Sequence, residues 1–396
     1  MSEWKKCRIG DLVTLRQGFA INAKSKHYIS KERTSLALLR IADMKSGARE
    51  IFIKEDIPQN FIAKKEDIIY TRTGNVGLVF RSNYGVVHNN CFTVTPNEES
   101  VLARDYLFYL LQNKDFYDKA NSLARGAAQP DLPHTLFNSI EILYPSIQTQ
   151  HSIATILSRY DSLIENYQKQ IKLLEEAAQR LYKEWFVDLH FPGHENTLII
   201  DGVPEGWEYR KIGDVYKTVL GGTPSRAKSN YWGGDIPWIN SGEINKLRII
   251  QASEMITQEG YDNSSTKLMP VHTTILAITG ATLGQVSYTE IETCANQSVV
   301  GIIDETNQTN EYLYLYINNN ILSIVNKATG GAQQHINKDI VNDYNILIPV
   351  QNVLALFKER TTPLFKLIKD YLNSIQSLTE ARDRLLPKLM NEEIKV

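Results

Sequence analysis

The chain is written twice. The stretch ARGAAQPDLPHTLFNSIEILYPS at 124–146 is answered by ATGGAQQHINKDIVNDYNILIPV at 328–350, at an offset near 204 in a chain of 396 residues. The likeness extends well beyond these two phrases. Trp4 with Ile9-Gly10-Asp11-Leu12 returns as Trp207 with Ile212-Gly213-Asp214-Val215. TRTGNVGLV at 71–79 returns as AITGATLGQV at 277–286, and ARDYLFYLLQ at 103–112 as NEYLYLYINN at 310–319. A repeat on this scale requires every framework element to be built twice.

Each copy ends in a long charged segment, and those segments carry a second period. Ile153, Leu157, Tyr160, Ile164, Tyr167, Ile171, Leu174, Ala178, Leu181 and Trp185 alternate by four and three. Leu364, Ile368, Tyr371, Ile375, Leu378, Leu385 and Leu389 keep the same register, interrupted only by Arg382, with Pro387 nearby. Such a/d seams define coiled-coil helices and are narrower than the apolar stripe of an ordinary core helix. Each seam needs a partner, and the other copy offers one. The expected arrangement is an antiparallel coiled coil that gives the molecule a pseudo-dyad.

Before each helix, strand-like runs such as IIYTRTGNVGLVF, CFTVTP and SVVGII alternate with Gly, Asn and Pro breaks, and short helical stretches follow. The fold class is α+β: two pseudo-repeated globules separated by two long helices. The boundaries read as 1–147 for the first globule, 148–190 for the first helix and 191–206 for a Pro/Gly-rich linker. The second globule then takes 207–350 and the second helix 351–392. No apolar run reaches eighteen residues, which argues against a membrane span. MSEWKKCRIGDL lacks the apolar centre of a signal peptide. Cys7, Cys91 and Cys294 form no CxxC pair, which fits a reducing, cytoplasmic setting without disulfides or zinc.

Motifs of catalysis are missing. The sequence has no GxxxxGK[ST], no GxGxxG after a strand, no HExxH and no GxSxG. It has no Asn-Pro-Pro-aromatic tetrapeptide of an amino-methyltransferase. Pro130-Asp131 begins like a nuclease motif, but no Glu-x-Lys follows at a useful distance. The eight histidines show no metal spacing, so no metal ligands are assigned. The reading is of a protein without an active site of its own.

What the loops do carry is recognition chemistry. Arg and Lys suit phosphate and guanine, Asn and Gln suit adenine, and Ser and Thr suit either. In the first copy the candidates for DNA contact are Arg16, Gln17, Lys24, Lys26, Arg40, Arg72, Thr73, Asn75, Asn89, Asn90, Arg125 and Gln129. In the second they are Thr223, Ser225, Arg226, Lys228, Asn240, Ser241, Thr279, Asn296, Gln297, Gln333 and Gln334. Any one of these alone is an ordinary solvated loop residue; the argument rests on their clustering beside glycines, which let a ligand approach the backbone. Charge separates the copies. Residues 1–147 hold 20 Lys/Arg against 16 Asp/Glu, a net of +4, whereas residues 196–350 hold 10 against 16, a net of −6. A globule of −6 is repelled by DNA unless its basic groups cluster or a partner supplies charge.

Taken together, GGTPSRAKSNYWGGDIPWINSGEI at 221–244, GVPEGWEYRKIGDV at 202–215, the Gly/Gln phrases at 126–129 and 330–334, and the duplicated plan resemble the specificity subunit of type I restriction–modification systems. The resemblance covers essentially the whole chain. It implies a non-catalytic subunit whose two target recognition domains each read one half of a split, asymmetric double-stranded DNA sequence. It implies two modification (methyltransferase) subunits docked on the helices, with restriction subunits added. S-adenosylmethionine, ATP and Mg belong to those partners, and no cofactor is expected on this chain. The unlike stretches, roughly 16–70 and 218–275, are then the readers. The seam from Ile153 to Trp185 spans 33 residues, roughly 50 Å at ~1.5 Å per residue, and would set the spacer between half-sites. Two other classes share these features: a coiled-coil scaffold with two ligand-binding globules, and the DNA-reading part of a single-chain restriction–methylation enzyme.

Overall fold

The computed structural model describes residues 4–327 and 335–396. It comprises two units, Met1–Ile164 with Ser377–Val396, and Glu165–Gln376.

In the first unit a four-stranded antiparallel sheet has the spatial order Val13–Gln17, Cys91–Pro96, Ile68–Thr71, Val79–Phe80. Ile68–Thr71 is buried at every position, so it reads as an unbroken apolar run rather than as an alternation. Behind it the helices Arg104–Gln112 and Lys114–Leu123 close a core in which Tyr70, Phe92, Phe116 and Phe137 meet mostly edge to face. A second, mixed sheet is built wholly from residues 29–87, most of them in the stretch that has no counterpart in the other copy. Lys5–Arg8 pairs with Glu141–Tyr144 and ties the start of the globule to its end.

The second unit repeats the framework. Lys217–Leu220, Val299–Ile303, Thr274–Ala277 and Val286–Thr289 take the same order, and Glu208–Lys211 pairs with Asn345–Ile348. It differs by a fifth strand, Arg248–Ile249, added parallel to Val286–Thr289. It also has a three-stranded sheet of Glu254–Ile256, Trp232–Ile239 and Cys294–Ala295 in place of the mixed sheet. The glycines Gly18 and Gly221 sit at matching places. A Cβ on either would collide with backbone, of His88 and Asn296 respectively, so the strand can pass only without a side chain.

Two helices of 40 residues each, Ile147–Phe186 and Gln351–Met390, contribute to both units. In the first unit Ile153, Ala154 and Leu157 share a core with Leu386, Leu389 and Met390. Ile153 lies beside Leu389, and Asp161 is bonded to Arg382, so the two helices run in opposite directions. In the second unit Tyr167 stacks on Tyr371 with centroids 4.8 Å apart and Trp185 meets Phe357 at 5.6 Å, again antiparallel. Of the seam residues, Leu157, Ile164, Ile171 and Ile368 are buried, and Leu174, Leu181, Ile375, Leu378 and Leu385 are half-buried. Leu163 and Leu173, one residue off the seam, are 45% and 63% exposed, which shows which face is covered. The seam interruption has a physical explanation. Arg382 Nη1 donates to Asp161 Oδ1 at 2.8 Å, so a guanidinium stands where an apolar residue would. The second helix runs through Pro363 and Pro387. Each removes one N–H, but the carbonyls left without it, of Glu359 and Asp383, belong to exposed residues that water can reach.

The segment 191–206 is more than a tether. Ile199–Ile200 pairs with Val203–Pro204 across Asp201-Gly202, both at positive φ, as a two-residue hairpin turn of this hand requires. Phe191 on one side and Trp207 on the other are buried, their rings tilted against each other at 4.8 Å.

Candidate nucleic-acid interface

In the first unit a polar cluster forms where the sheet's loops meet the repeated phrase at 125–131. The sheet ends at Thr71, and the chain turns through Arg72-Thr73-Gly74, with Gly74 at φ 81°. The amides of Arg72 and Thr73 donate to the Asn90 carbonyl at 2.8 and 3.3 Å. Arg125 and Asp131 exchange backbone hydrogen bonds at 2.8 Å each, closing a loop whose residues Arg125–Gln129 are exposed. Asp131 is the hub. Arg72 donates to it through Nε (3.0 Å) and Nη2 (2.6 Å), and the Thr73 hydroxyl donates at 2.6 Å. The bonded guanidinium holds the Asp131 carboxyl below its usual range, and Thr73 adds to this. Arg72 Nη1 reaches Gln17 Oε1 at 3.0 Å, and Gln17 Nε2 donates to the Asn89 carbonyl at 2.7 Å. Gln17, Arg72, Thr73, Asn89, Asn90 and Arg125 are thus brought together, with Gln129 on the same loop. Asn75 is exposed on the following turn, its carbonyl accepting from Thr71.

The other basic candidates of this unit behave differently. Arg16 is engaged with Asp67 at 2.8 Å and with Thr93. Arg40 grips Asp43 with two bonds of 2.7 Å and Glu50 with one of 2.5 Å, and these bonds raise its pKa further. Both guanidiniums hold their own loops in place. Lys24 and Lys26 are exposed and carry no ion pair among the described residues; their loop is held by Asn22, whose Oδ1 accepts from the Lys24 and Ser25 amides.

The second unit builds an aromatic platform from its phrase at 221–244. The Arg226 guanidinium lies 3.5 Å over the Trp232 ring and 5.0 Å from Trp238, with Glu254 bonding it from the side. That bond also holds the Glu254 carboxyl down. Trp238 Nε1 donates to the Gly222 carbonyl at 3.0 Å and Trp232 Nε1 to Ser225 at 3.2 Å, so the rings fix the Gly-Gly-Thr-Pro-Ser loop. Ser225 and Lys228 are exposed on this loop, Lys228 bonding the Tyr231 hydroxyl. Thr223 donates to Gln297 at 2.6 Å; Gln297 and its neighbour Asn296 answer to Asn89 and His88 of the first copy. Asn240 caps the short helix starting at Ser241 by accepting from the Gly242 amide. Thr279 occupies the place of Thr73, but Ile278 stands where Arg72 does, so the first unit's cluster is not reproduced. Gln333 and Gln334 lie outside the described residues.

Sequence reasoning dismissed Asp131 as half of a nuclease motif. Its place within the repeated phrase, directly after Gln129-Pro130, was the available signal. Trp232, Trp238 and Glu254 were also missed; the two tryptophans stand within a phrase that had been singled out. Among the described residues no three His, Cys, Asp or Glu side chains converge as a metal site, and no helix is long and apolar enough to cross a membrane.

Comparison with known proteins agrees with this duplicated framework. The model of the type I restriction modification DNA specificity domain matches residues 1–176 and again 204–372. The MjaIX specificity subunit of Methanocaldococcus jannaschii is 27% identical, over all of this chain and 94% of its own. The HindI specificity subunit of Haemophilus influenzae is 25% identical over the full length of both. The crystal structure of the type I restriction–modification S subunit from M. genitalium shares the fold, with a TM-score of 0.61 at 17% identity, covering 98% of this chain and 96% of that one. With both copies matched by one family model over most of the chain, the protein belongs to the type I restriction enzyme specificity subunits.

Proposed function

We propose that this chain reads a split, asymmetric double-stranded DNA target, each globule taking one half. Two methyltransferase subunits, and restriction subunits beyond them, then act where it places them. The observation that carries this is one framework bearing two unlike polar surfaces: Gln17–Arg72–Asp131 with the 125–129 loop in one unit, Arg226 on Trp232 in the other. Identical half-sites would not need different readers. The chain performs no chemistry itself. S-adenosylmethionine, ATP and Mg are bound by the partners, and the assembly works in the cytoplasm.

The test is an exchange of residues 16–70 for those of a relative, followed by methylation mapping of genomic DNA with the methyltransferase subunit co-expressed. One half of the methylated motif should change and the other should not. A continuous or palindromic motif, or a change in both halves, would overturn the reading. The proposal also makes tight binding depend on partners, because the second globule carries −6 and its Arg226 is already paired. The chain alone should bind target DNA far more weakly, at matched salt, than the assembled complex; nanomolar, sequence-specific binding by the chain alone would refute this.

A further inference from the structure

Paired charge, half-buried in the first unit and wholly buried in the second, points to a device that the recognition reading does not use. In the first unit the Arg81 guanidinium lies 4.1 Å over the Phe108 ring, and its Nη2 donates to Asp161 Oδ2 at 2.9 Å. The Tyr109 hydroxyl and Arg382 bond the same carboxylate, at 2.6 and 2.8 Å. In the second unit the Arg248 guanidinium lies 4.6 Å from the Tyr314 ring and 4.5 Å from Phe365. Its Nη2 stands 2.5 Å from Glu175 Oε1, a close charge contact whose angles are not those of a hydrogen bond. Glu290, paired to Lys369 at 3.4 Å, completes that cluster. Arg248 is wholly buried, and the Glu175 and Glu290 side chains are 5% and 3% exposed.

The rings correspond across the repeat. Tyr106-Leu107-Phe108 answers to Tyr312-Leu313-Tyr314, so the ring beneath each guanidinium comes from the same helix position. Asp161 and Glu175 are 14 residues apart on one helix, two heptads, and so occupy the same helix face. The guanidiniums and the carboxylates come from different places: at the offset of 204 Asp161 answers to Phe365, whereas Glu175 is a second position on the first copy's helix. Sheet register sets Arg81 at the position of Tyr288. Arg248 arrives on the fifth strand, where it is paired with that same Tyr288. Unrelated sequence positions therefore build the same arrangement, a guanidinium between a corresponding ring and a carboxylate of the helix Ile147–Phe186. A shared accident of packing does not account for that, since a buried charge is costly unless it is paired.

We propose that each globule is keyed to the helix pair by a guanidinium seated between a ring and a helix carboxylate, and that this key fixes how the reading surface is presented. Arg81, Asp161, Arg248 and Glu175 are positioning residues. The inference rests on the DNA-reading proposal for its consequence: Arg248 lies inside the exchangeable stretch 218–275, whereas Arg81 lies outside 16–70. A segment exchanged at 218–275 must bring its own arginine opposite Tyr288, and one exchanged at 16–70 need not.

Melting of the full chain tests the key independently of DNA. Arg248→Met strands Glu175 and should lower the melting midpoint by on the order of 10 °C. Adding Glu175→Met should recover at least half of that loss, while Arg81→Met combined with Glu175→Met should give simply additive losses. Additive losses for the Arg248–Glu175 pair would overturn the key. The positioning role is read at a temperature where every variant is folded, with the methyltransferase complex on duplexes whose spacer is correct, one pair longer or one pair shorter. Arg248→Met should reduce the preference for the correct spacer severalfold, and Arg248→Lys should restore part of it. An unchanged preference would overturn the positioning role. If the wild-type complex methylates no split target, the DNA-reading proposal fails instead, and the melting cycle still judges the key.

Discussion

Glu290 shows how a single buried carboxyl writes itself into a pH profile. It faces Arg248, Lys369, His272 and, at longer range, Glu311. Burial pushes its pKa up, and Arg248 and Lys369 pull against that without cancelling it. The folded protein therefore holds this proton to a higher pH than the unfolded chain does. Its contribution to stability is complete below the ordinary glutamate value of 4.5 and is lost as pH rises through the raised folded value. Glu290→Gln should flatten that part of the stability–pH curve, measured by urea unfolding at a series of pH values from 4.5 upward; an unchanged slope would show that another group is responsible. Gly221 supports a different prediction. A methyl there meets the Asn296 backbone, so Gly221→Ala should cost about 1–3 kcal/mol in the same urea assay. At this scale the sequence was only partly legible. Polar loop residues could be picked out, but not which were already engaged: Arg16 and Arg40 looked like phosphate ligands and hold Asp67 and Asp43 instead. Asp43 stands only three residues from Arg40, but Asp67 is 51 residues from Arg16 and Asp161 is 80 from Arg81; partners that far away leave no trace in local spacing, and Arg81, Asp161, Arg248 and Glu175 escape a sequence reading for that reason.

The elements were easier to read, because a helix or strand writes its period into consecutive residues. The seam of each long helix is visible as alternating steps of three and four, and the covered face follows it: Ile368 is fully buried, whereas Leu163 and Leu173 stand out to solvent. Ile171→Asp or Ile368→Asp would place a charge on that covered face. Each should cost about 3 kcal/mol or more and lower the melting midpoint clearly, with less effect for the half-buried Ile375. Calorimetry on the full chain decides this, and a wild-type melt for both would show that the face is not a packed interface. Arg382 was read as an interruption. It instead replaces apolar packing with an ion pair to Asp161, a bond whose partner lies 221 residues earlier and cannot be read from any periodicity. The Asp201-Gly202 hairpin lay in plain view as an Asp-Gly pair, yet its Pro and Gly neighbours made the whole stretch look like a tether.

For the whole molecule, duplication was the legible fact, and the division of the two units was not. The repeats lie one after the other in the sequence, which suggests that each folds by itself. The first unit instead draws on residues 377–396: Leu386, Leu389 and Met390 belong to the same core as Ile9, Tyr106 and Leu157. This has a consequence for synthesis. The second unit, residues 165–376, is contiguous and has all its parts before residues 377–396 are made. The first unit, most of it made earlier, cannot complete its core until the last turns of the helix Gln351–Met390 leave the ribosome. The usual order, in which the first domain made is the first to fold, is reversed here. A released chain that stops at residue 376, exposed to a mild protease, should show a resistant second unit and a first unit still open to cutting. A chain that includes residues 377–396 should show both units resistant.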